Sequence, residues 1–258
     1  MTRNNPVHPS QYIGITEAGE VAFDLSVFDR LQIGNIIITK RLTDKLIDKL
    51  VENKDRIILH LTCTGMGGSP VEPLVPTVEQ TIQKYTQLIK KGFPVKQIVL
   101  RIDPIIPTQK GVFNAAGVIF RFAHNTELPE GDRVPKRVRY SVMDMYPHVI
   151  KRFNEAGFPI PYQTFHAPAE QRQYVRISLV EVCDKFGLDL EACAEPDITP
   201  TPCISQKDID ILGLTKAVIL TGSAGQRSTC GCPANKHELL KAAAHKCNNG
   251  CVYCFWRD

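Results

Sequence analysis

The sequence predicts an α/β fold in which repeated βα units build a TIM-like (βα) barrel, partial or complete. Short runs of β-branched residues alternate with amphipathic segments, and glycines follow several of these segments. The length of 258 residues is enough for one large barrel domain. Successive βα units form parallel sheets with right-handed crossovers, so a doubly wound open sheet is the alternative architecture.

The strands are expected where apolar and β-branched residues run together, at residues 11–16, 35–39, 56–61, 97–102, 137–142 and 188–192. Helices are expected where apolar residues recur at a spacing of three or four, at residues 42–51, 77–91, 112–123, 146–156, 168–186 and 205–212. Gly92, Gly157 and Gly187 each follow a predicted helix and suit its carboxyl-terminal cap.

The regular pattern weakens after residue 212, and residues 217–235 are rich in loop-forming types. We therefore expect a barrel over residues 1–214 and a cysteine-rich cap over residues 215–258, as parts of one domain. The chemistry of such barrels lies at the carboxyl ends of the strands. Polar and sulfur-containing residues stand at these predicted ends: Lys40, Thr62, Cys63, Thr64, Arg101, Asp103, Ser141, Asp144, Cys193 and Glu195.

Composition places few limits on function. The net charge is +4, which by itself does not indicate nucleic-acid binding. The strongest basic run, VPKRVR at residues 134–139, predicts a solvated loop that enters a strand, with a phosphate-contacting patch as the alternative. No apolar run is long enough to cross a membrane, and the first residues lack the apolar core of a secretory signal, so we expect a cytoplasmic protein.

Seven of the nine cysteines lie between Cys193 and Cys254, and clustered cysteines in a reducing compartment indicate metal ligands or catalytic groups. Cys247, Cys251 and Cys254 lie in CNNGCVYCFW, residues 247–256, which we call the cysteine loop. A structural zinc site takes four ligands, whereas three cysteines leave one iron of a [4Fe–4S] cluster free to bind a small molecule. The loop therefore predicts such a cluster, with zinc as the alternative.

Four further cysteines form what we call the second cysteine set: Cys193, Cys203, Cys230 and Cys232. Four thiolates close a metal site, so this set predicts a second iron–sulfur cluster, with zinc as the less favoured metal. Buried apolar thiols are the alternative interpretation. For the isolated Cys63 and Cys183 we expect ordinary buried thiols.

The cysteine loop has the spacing, and the aromatic residue before its last cysteine, that are typical of radical S-adenosylmethionine enzymes. Residues 36–107 resemble spore photoproduct lyase-like members of that group in the stretches IITK, RIILHLTCTGMGGSPVEPLVP, KKGFPV and IVLRIDPIIP. Residues 188–256 resemble a bacterial family of unknown function with a CxC…Cx3Cx2C motif in the same order. The loop precedes the strands in the lyases and follows them here, so we expect a circularly permuted barrel whose cysteine loop covers the same mouth.

The resemblance implies that Cys247, Cys251 and Cys254 hold a [4Fe–4S] cluster that reductively cleaves S-adenosylmethionine to a 5′-deoxyadenosyl radical. It implies that Lys40 and either Thr62 or Thr64 contact S-adenosylmethionine. Tyr253 before the last cysteine, and Phe255 and Trp256 after it, can shield the cluster or stack on an adenine. Arg101 and Asp103 could bind cofactor, bind substrate, or pair with each other.

The resemblance also implies an electron donor, either a reductase or a flavodoxin or ferredoxin. It leaves open the substrate and whether the enzyme is a lyase or a transferase, and a nucleobase or nucleic acid is suggested only by analogy with the lyases. Two other classes of function remain: a zinc-stabilised nucleic-acid-binding module, and an iron–sulfur protein for electron transfer or sensing.

Overall fold

The computed structural model describes residues 11–224, 229–240 and 247–256. Seven strands form one parallel sheet: β1 (Ile13–Ile15), β2 (Gly34–Thr39), β3 (Ile57–Thr62), β4 (Ile98–Ile105), β5 (Arg137–Val142), β6 (Asp189–Ala192) and β7 (Lys236–Glu238). Their order across the sheet is β6-β5-β4-β3-β2-β1-β7. The prediction of an α/β fold with a parallel sheet is therefore confirmed.

Six α-helices occur in these described ranges: α1 (Asp44–Glu52), α2 (Val78–Lys90), α3 (Gln109–Ala123), α4 (Pro147–Glu155), α5 (Ala169–Lys185) and α6 (Gln206–Ile211). Side-chain caps fix several of their starts. The hydroxyl of Thr77 accepts from the N–H of Gln80 in a capping box that begins α2. Helix α3 begins three residues before the predicted start, because Thr108 caps the N–H of Gly111.

The strand order determines the side of the sheet on which the helices lie. The chain moves in one direction from β1 to β6, so right-handed crossovers place α1–α5 on one face rather than on both. This differs from a doubly wound sheet, whose strand order reverses and whose helices cover both faces. Strand β7 pairs with β1, and within the described residues no ladder joins β6 to β7, so closure of the barrel stays a prediction.

The two faces of the sheet differ in chemistry because side chains alternate along each strand. One face packs Ile37, Leu59 and Leu100 into the main apolar core with the helices. The opposite face, which we call the inner face, combines apolar residues such as Ile58 with buried polar side chains, among them His60. A functional site is therefore expected at the end of this inner face.

The basic run at residues 134–139 enters a strand, as the sequence predicted, but most of it is not solvated. Lys136 is exposed, but Arg137 and Arg139 belong to β5 and are buried. Arg137 Nη1 bonds Asp208 Oδ1 at 2.6 Å, and Arg139 Nη2 bonds Glu191 Oε2 at 2.6 Å. Buried charges need such partners. These guanidinium groups therefore pair with carboxylates inside the protein and do not form a phosphate-contacting surface.

The cysteine-rich segment does more than cap the sheet, because it supplies β7. This strand pairs along β1 from Ile13–Lys236 to Ile15–Glu238.

In the described parts of the chain, no helix is both long and apolar enough to span a bilayer.

Candidate functional site

Lys40 lies directly after β2, at the carboxyl end of the sheet, and is the centre of a buried polar network. Its Nζ donates to Glu72 Oε1 at 2.7 Å and to the hydroxyl of Tyr253 at 2.7 Å. The Tyr253 hydroxyl in turn donates to Glu72 Oε1, and Thr64 Oγ1 donates to Glu72 Oε2 at 2.5 Å. Glu72 is fully buried, and the network joins the end of β2, the segment after β3 and the cysteine loop.

Backbone hydrogen bonds hold the cysteine loop against this end of the sheet. The N–H of Val252 donates to the carbonyl of Val71 at 3.0 Å, and the N–H of Leu74 donates to the carbonyl of Asn249 at 3.3 Å. From α4, Arg152 Nε donates to the carbonyl of Val252 at 2.9 Å. The cysteine loop therefore reaches Lys40, although Lys40 and Tyr253 are 213 residues apart in sequence.

Glu20 supports the same region and was missed by sequence reasoning. It is buried and accepts from the backbone N–H of Lys40 at 2.8 Å, from Thr39 Oγ1 at 2.5 Å and from Asn249 Nδ2 at 3.3 Å. Burial raises its pKa above the ordinary carboxyl value, although these hydrogen bonds act in the opposite direction. No motif surrounds Glu20 in the sequence, so only its partners in the fold identify it.

The three thiols of the cysteine loop lie close enough to influence one another. Burial raises the pKa of Cys251 to about 12, while the positive charge of Lys40 acts to lower it. Burial also raises the pKa of Cys247. Across the described ranges, no group of three His, Cys, Asp or Glu side chains is arranged to hold a metal ion. The donor chemistry nevertheless fits an iron–sulfur cluster, because three thiols on one loop beside a lysine are suitable ligands.

The side chains of Arg101 and Asp103 form an ion pair, which is one of the alternatives expected for them, and their binding of cofactor or substrate stays a prediction. Asp103 also accepts a hydrogen bond from Ser141 Oγ. The positive charge of Arg101 acts to lower the pKa of Cys193 and of Cys203, which belong to the second cysteine set. Neither Arg101 nor Asp103 belongs to the Lys40 network. Thr62 is buried at the end of β3.

The second cysteine set is brought together by two separate segments. Cys193 follows β6, and the N–H of Cys203 donates to Cys232 Sγ at 3.2 Å. The thiol of Cys203 is within hydrogen-bonding reach of Cys193 and Cys232, and these contacts hold its pKa well below the ordinary value. A contact with Cys232 likewise lowers the pKa of Cys230, to about 6.

The two isolated cysteines are buried, as expected. Burial raises the pKa of both Cys63 and Cys183 to about 12. Cys63 nevertheless lies near the Lys40 network, within electrostatic range of Lys40. Cys183 is on α5, outside both cysteine groups, and is a suitable control for substitutions.

Five aromatic residues, two of them in the cysteine loop itself, form what we call the aromatic rim: Tyr146, His148, Phe165, Phe255 and Trp256. The rings of Phe255 and Phe165 lie 4.7 Å and 4.8 Å from that of Tyr146. Phe165, Phe255 and Trp256 remain 43%, 49% and 41% exposed. The rim therefore exposes aromatic surface beside the cysteines of the loop.

Comparison with known families identifies the chain as a member of the domain of unknown function family DUF1848, which matches residues 25–256. The match includes the Lys40 network, both groups of clustered cysteines and nearly the whole sheet. A search of curated proteins found no match.

Proposed function

We propose that this protein is a radical S-adenosylmethionine enzyme related to the spore photoproduct lyase-like group by circular permutation. The observation that carries the proposal is the position of the cysteine loop beside Lys40, through the 2.7 Å bond from Lys40 to Tyr253. When bound to Cys247, Cys251 and Cys254, a [4Fe–4S] cluster would supply the electron that cleaves S-adenosylmethionine to a 5′-deoxyadenosyl radical, which takes hydrogen from a substrate C–H bond.

Lys40 is suited to bind the carboxylate or ribose of S-adenosylmethionine. An ammonium group has three donors, and within the described residues two of them are used, by Glu72 and Tyr253. One donor therefore remains for a cofactor. Glu72 and Tyr253 act as positioning residues that hold the amine at the carboxyl end of β2. Thr62 is the last residue of the neighbouring strand β3, and Thr64 lies two residues beyond it.

The cysteine loop is also suited to exclude water. Cys251, Val252 and Tyr253 are buried, whereas Cys247 and Cys254 are only partly buried. A radical intermediate requires a dry site that keeps reacting atoms close, because water and solvent-exposed groups allow side reactions. The buried half of the loop would form one wall of this site.

The aromatic rim is the surface best placed to receive the substrate. Exposed rings bind planar groups by stacking, which is compatible with a nucleobase or a single-stranded nucleic acid. The buried Arg137 and Arg139 contribute no phosphate contacts, which weakens the zinc-stabilised nucleic-acid-binding alternative. An electron-transfer or sensing protein remains the rival, since it would need clusters but no S-adenosylmethionine.

The test is anaerobic reconstitution of the full chain with iron and sulfide, followed by reduction in the presence of S-adenosylmethionine. We expect 5′-deoxyadenosine to form even without substrate. A chemical reductant such as dithionite replaces the reductase, flavodoxin or ferredoxin that would act in the cell.

The matched control is Cys183→Ala, which removes a buried cysteine outside both groups and should retain the reaction. Protein that loads iron and sulfide on the cysteine loop, yet neither binds S-adenosylmethionine nor forms 5′-deoxyadenosine with any reductant, would instead be an electron-transfer or sensing protein.

A further inference from the structure

The second cysteine set lies between the two edges of the sheet that do not pair with each other. Cys193 and Cys203 follow β6, at one edge, whereas Cys230 and Cys232 precede β7, at the other. The contact from the N–H of Cys203 to Cys232 Sγ therefore spans the gap between these edges. The hydroxyl of Thr229 crosses the same gap and donates to the carbonyl of Ala194 at 2.8 Å.

The surroundings of these thiols suit a bound anionic centre. Cys193, Cys203 and Cys232 are buried in an apolar cluster on the inner face, and Cys230 packs against it. The charges of Arg101 and Arg139 both act on Cys193 and Cys203. Four thiolates around a divalent ion carry a net charge of about −2, which nearby guanidinium groups stabilise.

Buried polar atoms without partners provide an independent sign of a missing ligand. Among the described residues, Arg101 Nε, Arg139 Nη1 and both ring nitrogens of His60 are buried and have no hydrogen-bond partner. These three side chains belong to the inner face, and His60 lies within electrostatic range of Cys203. Native proteins leave few such atoms unsatisfied, so their concentration beside four cysteines calls for an explanation.

We propose that Cys193, Cys203, Cys230 and Cys232 bind one thiophilic metal ion, with zinc expected, and that this ion fastens the two unpaired edges of the sheet together. The proposal does not depend on the radical chemistry of the cysteine loop. The described side chains do not yet form a ligand group, so binding must reorient the thiols around one ion and release their protons.

The contacts between thiols favour a single ion over an iron–sulfur cluster. A tetrahedral site with zinc–sulfur bonds of about 2.3 Å places its sulfurs about 3.8 Å apart. The contacts from Cys193 to Cys203, from Cys203 to Cys232 and from Cys232 to Cys230 are of hydrogen-bonding type, which already holds neighbouring sulfurs close. Inorganic sulfide separates the ligand sulfurs of an iron–sulfur cluster, so direct contacts between cysteine thiols favour a single ion.

The test uses the full chain with Cys247→Ala, Cys251→Ala and Cys254→Ala combined, so that only the second cysteine set can bind metal. Metal analysis should find about one zinc ion per chain, as expected for four thiolates. Adding Cys203→Ala should lower retained zinc at least tenfold, whereas adding Cys183→Ala should not. Cobalt exchanged into the site should give the absorption of a tetrahedral thiolate complex.

Cys230→Ala is a second test in case Cys203→Ala fails to fold, because Cys230 is only partly buried and its replacement disturbs the core less. Cys230→Ala should also lower the amount of retained zinc, while the circular dichroism spectrum should remain that of the triple variant without it. The proposal is overturned if the triple variant holds no metal, if it holds iron with acid-labile sulfide, if the metal survives Cys203→Ala and Cys230→Ala, or if these cysteines form a disulfide without metal. The 5′-deoxyadenosine assay on the natural sequence separately tests the proposed function.

Discussion

Replacing Lys40 by Met distinguishes the structural role of the Lys40 network from its proposed role in cofactor binding. The substitution keeps most of the apolar stem and removes the ammonium group. Glu72 then remains fully buried, and among the described residues its remaining side-chain donors are Thr64 and Tyr253. The perturbation is therefore a buried carboxylate that has lost its counterion.

The contacts set the expected magnitude. Removing one partner of a buried ion pair costs about 3–5 kcal/mol, and the two remaining donors place Lys40→Met near the lower value, about 3 kcal/mol. Adding Glu72→Gln removes the stranded charge, so the double variant should lose only about 1 kcal/mol, which corresponds to a coupling of at least about 2 kcal/mol. Lys49→Met is the control, because its pair with Glu52 is exposed to solvent and contributes little to stability.

Urea unfolding followed by circular dichroism at neutral pH measures these differences. Burial lowers the pKa of Lys40, but the charges of Glu72 and Cys251 outweigh it and the pKa is raised overall. The stabilisation is therefore complete at neutral pH and is lost only as the pH rises through that raised pKa. A loss below about 0.5 kcal/mol in Lys40→Met, without coupling to Glu72, would refute the buried pair.

Affinity for S-adenosylmethionine provides the second readout, by equilibrium dialysis against the reconstituted protein. The double variant should bind at least about tenfold more weakly than Glu72→Gln alone, because a hydrogen bond to a charged group contributes about 1.5–3 kcal/mol. Equal affinity in these two stable proteins would remove Lys40 from the cofactor site while leaving its structural role intact.

Three further predictions concern the same end of the sheet. Cys251→Ala should abolish 5′-deoxyadenosine formation and lower the iron content without changing the circular dichroism, and retained activity would exclude the cysteine loop as the cluster site. Tyr253→Phe removes both hydroxyl contacts and should lower the free energy of unfolding by about 1–3 kcal/mol in urea, and no loss would contradict the docking of the loop. Burial raises the pKa of Glu20, so the free energy of unfolding should fall as the pH rises from 4.5 through that raised pKa. If the free energy of unfolding of a Glu20→Gln variant depends on pH with the same slope, Glu20 is not the group involved.

The sequence by itself predicted most of the secondary structure, because periodicity and capping are local signals. The strand at residues 137–142 was predicted at its observed bounds, and Gly92 adopts the positive φ of 91° that suits a carboxyl-terminal cap. The spacing Cys247, Cys251, Cys254 is likewise contained in a few consecutive residues. Strand β7 was missed because Lys236–Glu238 is short and polar and becomes a strand only through its pairing with β1.

Only the tertiary structure decided which distant residues meet. It brought Tyr253 to Lys40, turned Arg139 inward to Glu191 instead of outward to solvent, and paired Arg101 with Asp103. Glu20 became part of the site through donors at Lys40 and Asn249 that are far from it in sequence. The physical reason is that burial and pairing of charges depend on the order and curvature of the strands, and this order is set by contacts across the sheet rather than by neighbouring residues.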